Sequence, residues 1–332
     1  MEQNGYATEI THSFLSLPVK ETRKSPFQSL SNISQPKALS AAKFPPERDL
    51  VSDMGVQSFS SLTRQIDFNG ADLDGGTQMG GAAPDEESLS PDPIFDFPAG
   101  AHAGNFMHDV FEHLEFDDST TWAGLIERKL KHHQFDSAKW QSPIHKMIEQ
   151  VMQVELAPGF RLGLLTRADR MEEMEFLFPA GSFSLASLVS ALPVDSMLSQ
   201  YLSGVAENDW DSSEMKGFLT GKIDLIFRWN SKYYLLDWKS NRLNGRGDGF
   251  GSPAIHQEML DHHYVLQYHL YILALHLHLR ARLPGYSYEN DFGGVYYLFT
   301  RGICSSSQNG VFHDHPSYRV IDALEKFFIS QK

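Results

Sequence analysis

Cysteine is nearly absent from this sequence of 332 residues. The only one, Cys304, excludes a disulfide framework and any four-cysteine zinc or iron–sulfur site within the chain. Long apolar runs are absent as well, since none approaches the roughly 18 residues that a membrane-spanning helix needs. Residues 1–16 lack the basic-then-apolar order of a secretion signal. We therefore expect a cytoplasmic protein with no membrane partner.

Basic side chains are also scarce. The chain has 28 Lys and Arg against 42 Asp and Glu, a net charge of −14, which argues against a nucleic-acid partner. The imbalance is uneven, because residues 1–100 hold 7 basic and 14 acidic side chains and so carry half of the excess. A metal site also gathers carboxylates, and its cation reverses their local sign. The charge weakens a nucleic-acid interpretation without excluding it.

The first part of the chain shows no sustained apolar period. Residues 1–97 are rich in Ser, Pro, Gly and Gln, and the acidic, glycine-rich stretch 70–98 is typical of a flexible linker. One island, residues 56–63 (VQSFSSLT), predicts a short strand or a docking element. We expect two parts, a mostly disordered acidic linker over 1–97 and a folded domain over 98–332.

The rest of the chain contains both helical and extended patterns. A helix begins near Ala103, and a hairpin has strands over 221–228 and 233–239 joined by Asn230-Ser231-Lys232. The other predicted elements are helices at 125–134, 142–157, 184–192, 195–201, 259–282 and 318–329, and extended segments at 162–167, 171–179 and 293–300. A helical lobe followed by a mixed β-sheet flanked by helices is an α/β arrangement.

Two aspartates stand in apolar strands of the hairpin. Asp224 interrupts the run IDLIF, and Asp237, 13 positions later, ends the run YLLD. Such a carboxylate is costly unless it is paired or binds a metal, and Mg²⁺, which prefers oxygen ligands, would remove the repulsion between the two. Lys239 shares the face of Asp237 because side chains alternate along a strand, so it can orient a water or stabilise a phosphate. The residues alone leave another interpretation open, an Asp224–Lys239 ion pair with Asp237 as a strand-end cap.

Two other patterns are weaker. Residues 217–222 (GFLTGK) resemble a phosphate-binding loop, but they have one spacer residue too few and lead into a strand. The 15 histidines lack cysteine partners and a His-Glu-x-x-His pattern, so surface histidines are favoured over a zinc site. Because no complete ATP-binding loop is present, we expect no ATPase or helicase activity from this chain.

Five segments match the motifs of a known family in the same order. They are 97–112 (FPAGAHAGNFMHDVFE), 221–227 (GKIDLIF), 236–241 (LDWKSN), 267–271 (QYHLY) and 292–302 (FGGVYYLFTRG). On these motifs, residues 98–332 resemble the C-terminal nuclease domain of RecB-type exodeoxyribonuclease V subunits and, more broadly, the PD-(D/E)xK nucleases. Trp238 stands where this family more often has Tyr. Residues 56–63 resemble the last helicase segment before the linker of such subunits, and the helicase portion itself has no counterpart here.

The resemblance implies a role for each matching residue. His108, Asp224 and Asp237 would bind one or two Mg²⁺ ions, with the main-chain carbonyl of Trp238 as a further ligand. Lys239 would assist the attacking water, and Glu175 matches a family glutamate that acts with these residues. The side chains expected to contact DNA or to support the site, including two tyrosines that could stack on bases, are Gln267, Tyr268, Tyr271, Ser240, Asn241, Arg242 and Arg246.

The resemblance implies Mg²⁺-dependent hydrolysis of DNA phosphodiester bonds in double-strand-break repair and recombination. The substrate would be single DNA strands from an unwound duplex. The protein partners would be a helicase or RecC- and RecD-like subunits. Two other hypotheses stay open: a non-catalytic docking module for such subunits or for a recombinase, and a restriction-type endonuclease with sequence specificity.

Overall fold

Six β-strands form one mixed sheet in the computed structural model, which describes residues 55–58, 92–206, 215–243 and 249–329. They are β1 (Gly55–Ser58), β2 (Arg170–Phe183), β3 (Met215–Trp229), β4 (Lys232–Lys239), β5 (Phe292–Phe299) and β6 (Val311–Asp314). The antiparallel β2 follows nearly the whole of β3 along one edge. The other edge of β3 is shared by β1, which is parallel, and β4, which is antiparallel. The sheet continues with β5, parallel to β4, and β6, antiparallel to β5.

Nine helices accompany the sheet in the part of the chain that the structure describes. They are α1 (Ala101–His113), α2 (Trp122–His132), α3 (Ser137–Gln153), α4 (Leu185–Ala191), α5 (Met197–Ala206), α6 (Ser252–Asp261), α7 (Tyr264–Arg282), α8 (Tyr288–Asp291) and α9 (Tyr318–Phe328). None of them is long and apolar enough to cross a membrane. The first three form a helical lobe that precedes most of the sheet, and the others lie between or after its strands. A mixed sheet flanked by helices confirms the predicted α/β class.

Helices cover both faces of β4. The ring of Trp238 stacks on Phe111 of α1, with the ring centroids 4.1 Å apart. The next residue, Lys239, points the opposite way, and its Nζ lies 4.0 Å from the centre of the Tyr264 ring of α7. Most residues of α7 are buried on every side, which is typical of a helix inside a core. The catalytic candidates of β4 therefore lie between the lobe and this central helix.

A short segment before α1 is attached to the end of β4. Residues Pro93–Asp96 form a 3₁₀ turn, and Phe97 after it is fully buried. The buried guanidinium of Arg301 holds this segment by donating to four main-chain carbonyls, those of Ile94, Phe97, Pro98 and Ser240. Residues before Pro98 thus pack against the domain, while the proposed division of the chain at 97/98 stays a prediction.

Two predicted elements differ from the structure. Residues 162–167, expected to be extended, contain a 3₁₀ turn at Leu162–Leu164, because Leu162 and Leu165, one such turn apart, both enter the core. The helix predicted over 259–282 is instead two helices, α6 and α7. They are separated at His263, which has a φ of 57° in the left-handed region.

Other element boundaries were less visible in the sequence. Helix α3 starts several residues before Pro143, because the Asp136 carboxylate caps it by accepting the N–H of Ala138 at 2.9 Å. Strand β6 has only four residues, too few for a recognisable alternation. Part of the island at 56–63 is a strand, β1, as one of its two interpretations predicted, and residues 59–63 lie outside the described residues.

Candidate active site

The two aspartates of the hairpin lie where β3 and β4 separate. Main-chain pairing between these strands ends at Leu225 and Leu236, so Asp224 and Asp237 occupy the next opposed positions. Beyond this point the Asp224 side chain replaces the main-chain pairing, because its Oδ2 accepts the main-chain N–H of Trp238 at 2.9 Å. Both carboxylates are therefore held at one end of the hairpin.

Asp237 is almost completely buried, with 2% of its surface exposed. Burial raises the pKa of its carboxyl to about 7, and the charge of Asp224 acts in the same direction. The ammonium of Lys239, 2.8 Å from Asp237 Oδ2, opposes this rise without cancelling it. A buried carboxyl with a pKa raised by desolvation and by a second carboxylate is typical of a functional site.

Helix α1 brings His108 onto Asp224, with 3.2 Å between Nδ1 and Oδ2. Burial opposes the charged imidazolium, but the charge of Asp224 and its hydrogen bond outweigh burial, so the pKa of His108 is raised. Burial likewise opposes the Asp224 carboxylate, yet His108 and then Lys239 hold the pKa of Asp224 below its ordinary value. These groups thus form one coupled charge system.

Lys239 is enclosed by side chains of α7 and β5. Its Nζ lies 3.3 Å from Gln267 Oε1, and that oxygen also accepts the hydroxyl of Tyr297 at 2.8 Å. Gln267 Nε2 in turn donates to the hydroxyl of Tyr271 at 3.2 Å. Tyr264 was missed from the sequence, although it lies three residues before Gln267 and so shares its face of the helix. The amide and the rings fix the position of the ammonium.

Glu173 of β2 is a further residue that sequence reasoning missed. A ligand oxygen of Glu173 lies within 4.8 Å of ligand atoms of His108 and Asp224, so these three could hold one ion. Its φ of 58° is uncommon for a residue with a side chain and interrupts the pairing of β2 with β3. Glu175, the glutamate chosen from the sequence, is exposed at the rim of the same cavity. The register of β2 against β3 determines which of the two glutamates lies near His108 and Asp224.

These residues surround a cavity of about 510 Å³. Its lining includes Ser58 of β1, Asn105 and His108 of α1, Glu173 and Glu175 of β2, Lys222 and Asp224 of β3, Asp237 and Lys239 of β4, and Gln267 and Tyr271 of α7. Gly221 also lies there, and a Cβ at this position would come within 2.5 Å of the Phe176 ring. The glycine therefore allows β2 and β3 to pack closely beside the cavity.

Some predicted site residues lie away from this cavity. Tyr268 is fully buried and its hydroxyl donates to Asp314 at 2.7 Å, so in this arrangement it cannot stack on a base. Asn241 is buried and donates to Glu258 at 2.6 Å, which ties the end of β4 to α6. The carbonyl of Ser240 accepts from Arg301, and Arg242 is exposed. Arg246 lies outside the described residues.

The donor set suits a hard divalent cation. Asp224, Asp237 and Glu173 offer carboxylate oxygens, the ligands that Mg²⁺ prefers, and His108 adds one nitrogen. A cation would also favour the ionised form of Asp237, which burial disfavours. None of the described residues that line the cavity has a sulfur ligand, which a soft metal would prefer. The ligand role of the Trp238 carbonyl stays a prediction.

Comparison with known proteins gives matches over most of the chain. A sequence profile of the PD-(D/E)XK nuclease superfamily matches residues 85–325. The RecBCD enzyme subunit RecB of Escherichia coli strain K12 is 35% identical over 248 residues, which are 74% of this chain and 20% of that protein. The subunit of the same name from Buchnera aphidicola subsp. Acyrthosiphon pisum is 33% identical over 238 residues, 69% of this chain and 19% of the relative.

A more distant relative shows the same partial coverage. The RecBCD enzyme subunit RecB of Mycolicibacterium smegmatis is 31% identical over 274 residues, 74% of this chain and 25% of that protein. The chain therefore spans about a fifth to a quarter of the length of these relatives.

Proposed function

The chain belongs to the PD-(D/E)XK nuclease superfamily, and from that premise we propose that it hydrolyses DNA phosphodiester bonds with Mg²⁺. Asp224, Asp237 and Glu173 meet His108 and Lys239 around a single open cavity, so a metal-binding group and a fixed ammonium face the same space. That combination supports a catalytic nuclease and not a module that only binds partner subunits.

The side chains of the cavity have distinct roles in this proposal. Asp224, Asp237, Glu173 and His108 would bind Mg²⁺, which supplies a Lewis acid for the phosphate and lowers the pKa of a bound water. Lys239, held between Asp237 and Gln267, orients the attacking water and balances the charge that develops on the phosphate. Tyr264 keeps the ammonium in place through its ring face.

We propose a single DNA strand as the substrate and a helicase partner as its source. The relatives are named as subunits of a RecBCD enzyme, which supports assembly with RecC- and RecD-like subunits and a role in double-strand-break repair and recombination. Tyr271 lines the cavity, but its side chain is buried and its hydroxyl accepts from Gln267, so we assign it to support of the site. Arg242, exposed just beyond β4, is a candidate contact for the DNA backbone.

The decisive experiment is a Mg²⁺-dependent assay of the purified chain and its Asp237→Ala variant on linear single- and double-stranded DNA. We expect graded degradation of single strands by the wild type, and none by the variant at an unchanged circular dichroism spectrum. Undiminished cleavage by the variant would refute the assignment. Discrete fragments from varied duplexes would favour a restriction-type enzyme, and the absence of Asp224-dependent Ca²⁺ binding in calorimetry would favour a docking module.

A further inference from the structure

Lys222 has an exposed ammonium and is one of the described residues that line the active-site cavity. Its ammonium pairs with the Glu173 carboxylate, and their side chains are 52% and 16% exposed. The other ammonium of the cavity, that of Lys239, is only 5% exposed and is held by Asp237. Lys222 is two residues before Asp224 on β3, so both side chains face the same side of the strand. The cavity mouth therefore has a positive charge directed towards solvent, beside the candidate metal ligands His108, Glu173 and Asp224.

The partner of Lys222 has a competing role. Glu173 offers a ligand oxygen within 4.8 Å of ligand atoms of His108 and Asp224, so a cation bound there would attract its carboxylate. A carboxylate that is bound to a divalent cation interacts less strongly with a neighbouring ammonium. The long side chain of Lys222, half in solvent, can then turn to another anion at little cost.

We propose that Lys222 is a metal-gated contact for a DNA phosphate. Without a metal, Glu173 neutralises Lys222, and with a metal, Glu173 turns to the cation and releases Lys222 to a phosphate of the bound strand. The contact would lie at the cavity lining two residues before Asp224 on β3. This inference rests on the proposed function, because it assumes that DNA occupies the cavity.

The test measures binding of a fluorescent single-stranded oligonucleotide by anisotropy, in Ca²⁺ and in EDTA, for the full-length chain. In Ca²⁺, we expect Lys222→Gln to weaken binding roughly fivefold at 0.1 M salt and to reduce the salt slope by about 0.7, the value for one phosphate of a single strand. In EDTA the wild type and this variant should bind equally. Glu173→Gln should bind more tightly than the wild type in EDTA, because Lys222 no longer has a competing partner.

Two matched variants complete the design. Lys222→Arg should keep both the affinity and the salt slope. Lys326→Gln is the control, since it removes a more exposed ion pair, with Asp322, that does not line the cavity. Equal affinities of Lys222→Gln and the wild type in Ca²⁺ would overturn the inference. A loss of Ca²⁺ affinity in Lys222→Gln would also overturn it, since Lys222 would then only support Glu173.

The outcome also separates this inference from the proposed function. A wild type that cleaves DNA while Lys222→Gln binds and cleaves equally well would refute the gating alone. Conversely, metal-gated binding through Lys222 without any cleavage would refute the nuclease proposal and support the phosphate contact.

Discussion

The carboxyl of Asp237 combines deep burial with a pKa of about 7, and His108 has a raised pKa beside it. Both must lose their protons to bind a metal, so the protonated forms compete with the cation as pH falls. We expect Mg²⁺ affinity to weaken as the pH falls through 7, with proton release on binding at neutral pH. Calorimetry in buffers of different ionisation heat measures this release directly.

Asp237→Asn provides the control for that experiment. An amide cannot ionise, so this variant should release fewer protons and bind Mg²⁺ more weakly at every pH. In the metal-free wild type, folding raises the pKa of Asp237 from its ordinary value of 3.8 to about 7. The folded state therefore loses stability as the pH rises between these two values, because the unfolded chain ionises this carboxyl more easily. The melting temperature of metal-free Asp237→Asn should therefore exceed that of the wild type most clearly at pH 8. Equal melting temperatures would contradict this account of Asp237.

Glu173 and Glu175 provide a second comparison between single residues. Glu173 lies near His108 and Asp224, whereas Glu175 is exposed at the rim. We expect Glu173→Gln to reduce the cleavage rate by roughly tenfold to a hundredfold, the range for loss of a group that supports a metal site. Glu175→Gln should change it by less than about threefold, as for a surface substitution. Initial rates on single-stranded DNA in saturating Mg²⁺ test both, and the reverse order would restore the role predicted for Glu175.

The site residues that the sequence revealed are charged groups whose burial has a free-energy cost. Asp224 and Asp237 stood out because a charge inside an apolar strand needs a partner, and Lys239 followed from the alternation of the strand. Glu173 gave no such signal, because β2 has several glutamates and only its register selects one of them. Tyr268 was assigned to DNA because it lies in a motif, but periodicity alone could not show which face of a buried helix meets the cavity.

Among the elements, Arg301 connects the 3₁₀ segment before α1 to the active-site strand β4. Its guanidinium donates to the carbonyls of Ile94, Phe97 and Pro98 and, at 2.8 Å from Nε, to that of Ser240. We expect Arg301→Gln to lower the free energy of unfolding by about 3 kcal/mol, because several buried acceptors lose their donor. Urea denaturation followed by circular dichroism measures the loss. Arg301→Lys should lose nearly as much, since an ammonium cannot reach all four carbonyls, and full stability of the lysine variant would contradict this explanation.

The sequence predicted most helices and the hairpin because their periods are long and their turns are marked. The break between α6 and α7 escaped it, since His262 and His263 carry no glycine or proline signal, yet His263 adopts a left-handed conformation. The 3₁₀ turns and the short β6 are set by tertiary packing, which a local pattern does not contain.

At the scale of the whole molecule, the family match begins at residue 85, while β1 comes from residues 55–58. A fragment of residues 85–332 keeps the hydrophobic cluster of the lobe, so we expect it to fold and to bind Mg²⁺. Loss of β1 would expose the edge of β3 at Gly217–Thr220, so we also expect greater self-association than for the full chain. Light scattering and thermal melts compare the two, and a monomeric fragment of unchanged stability would show that β1 is dispensable.

The separation of β3 from β4 has a consequence for motion. Their ladder ends at Leu225 and Leu236, and beyond it the two strands are joined through the Asp224 side chain and the N–H of Trp238. A cation held by Asp224 and Asp237 would fasten these two strands where the main chain does not. Exchange of the Trp238 amide with solvent deuterium should therefore slow when metal binds, so that one backbone proton reports the occupancy of the whole centre.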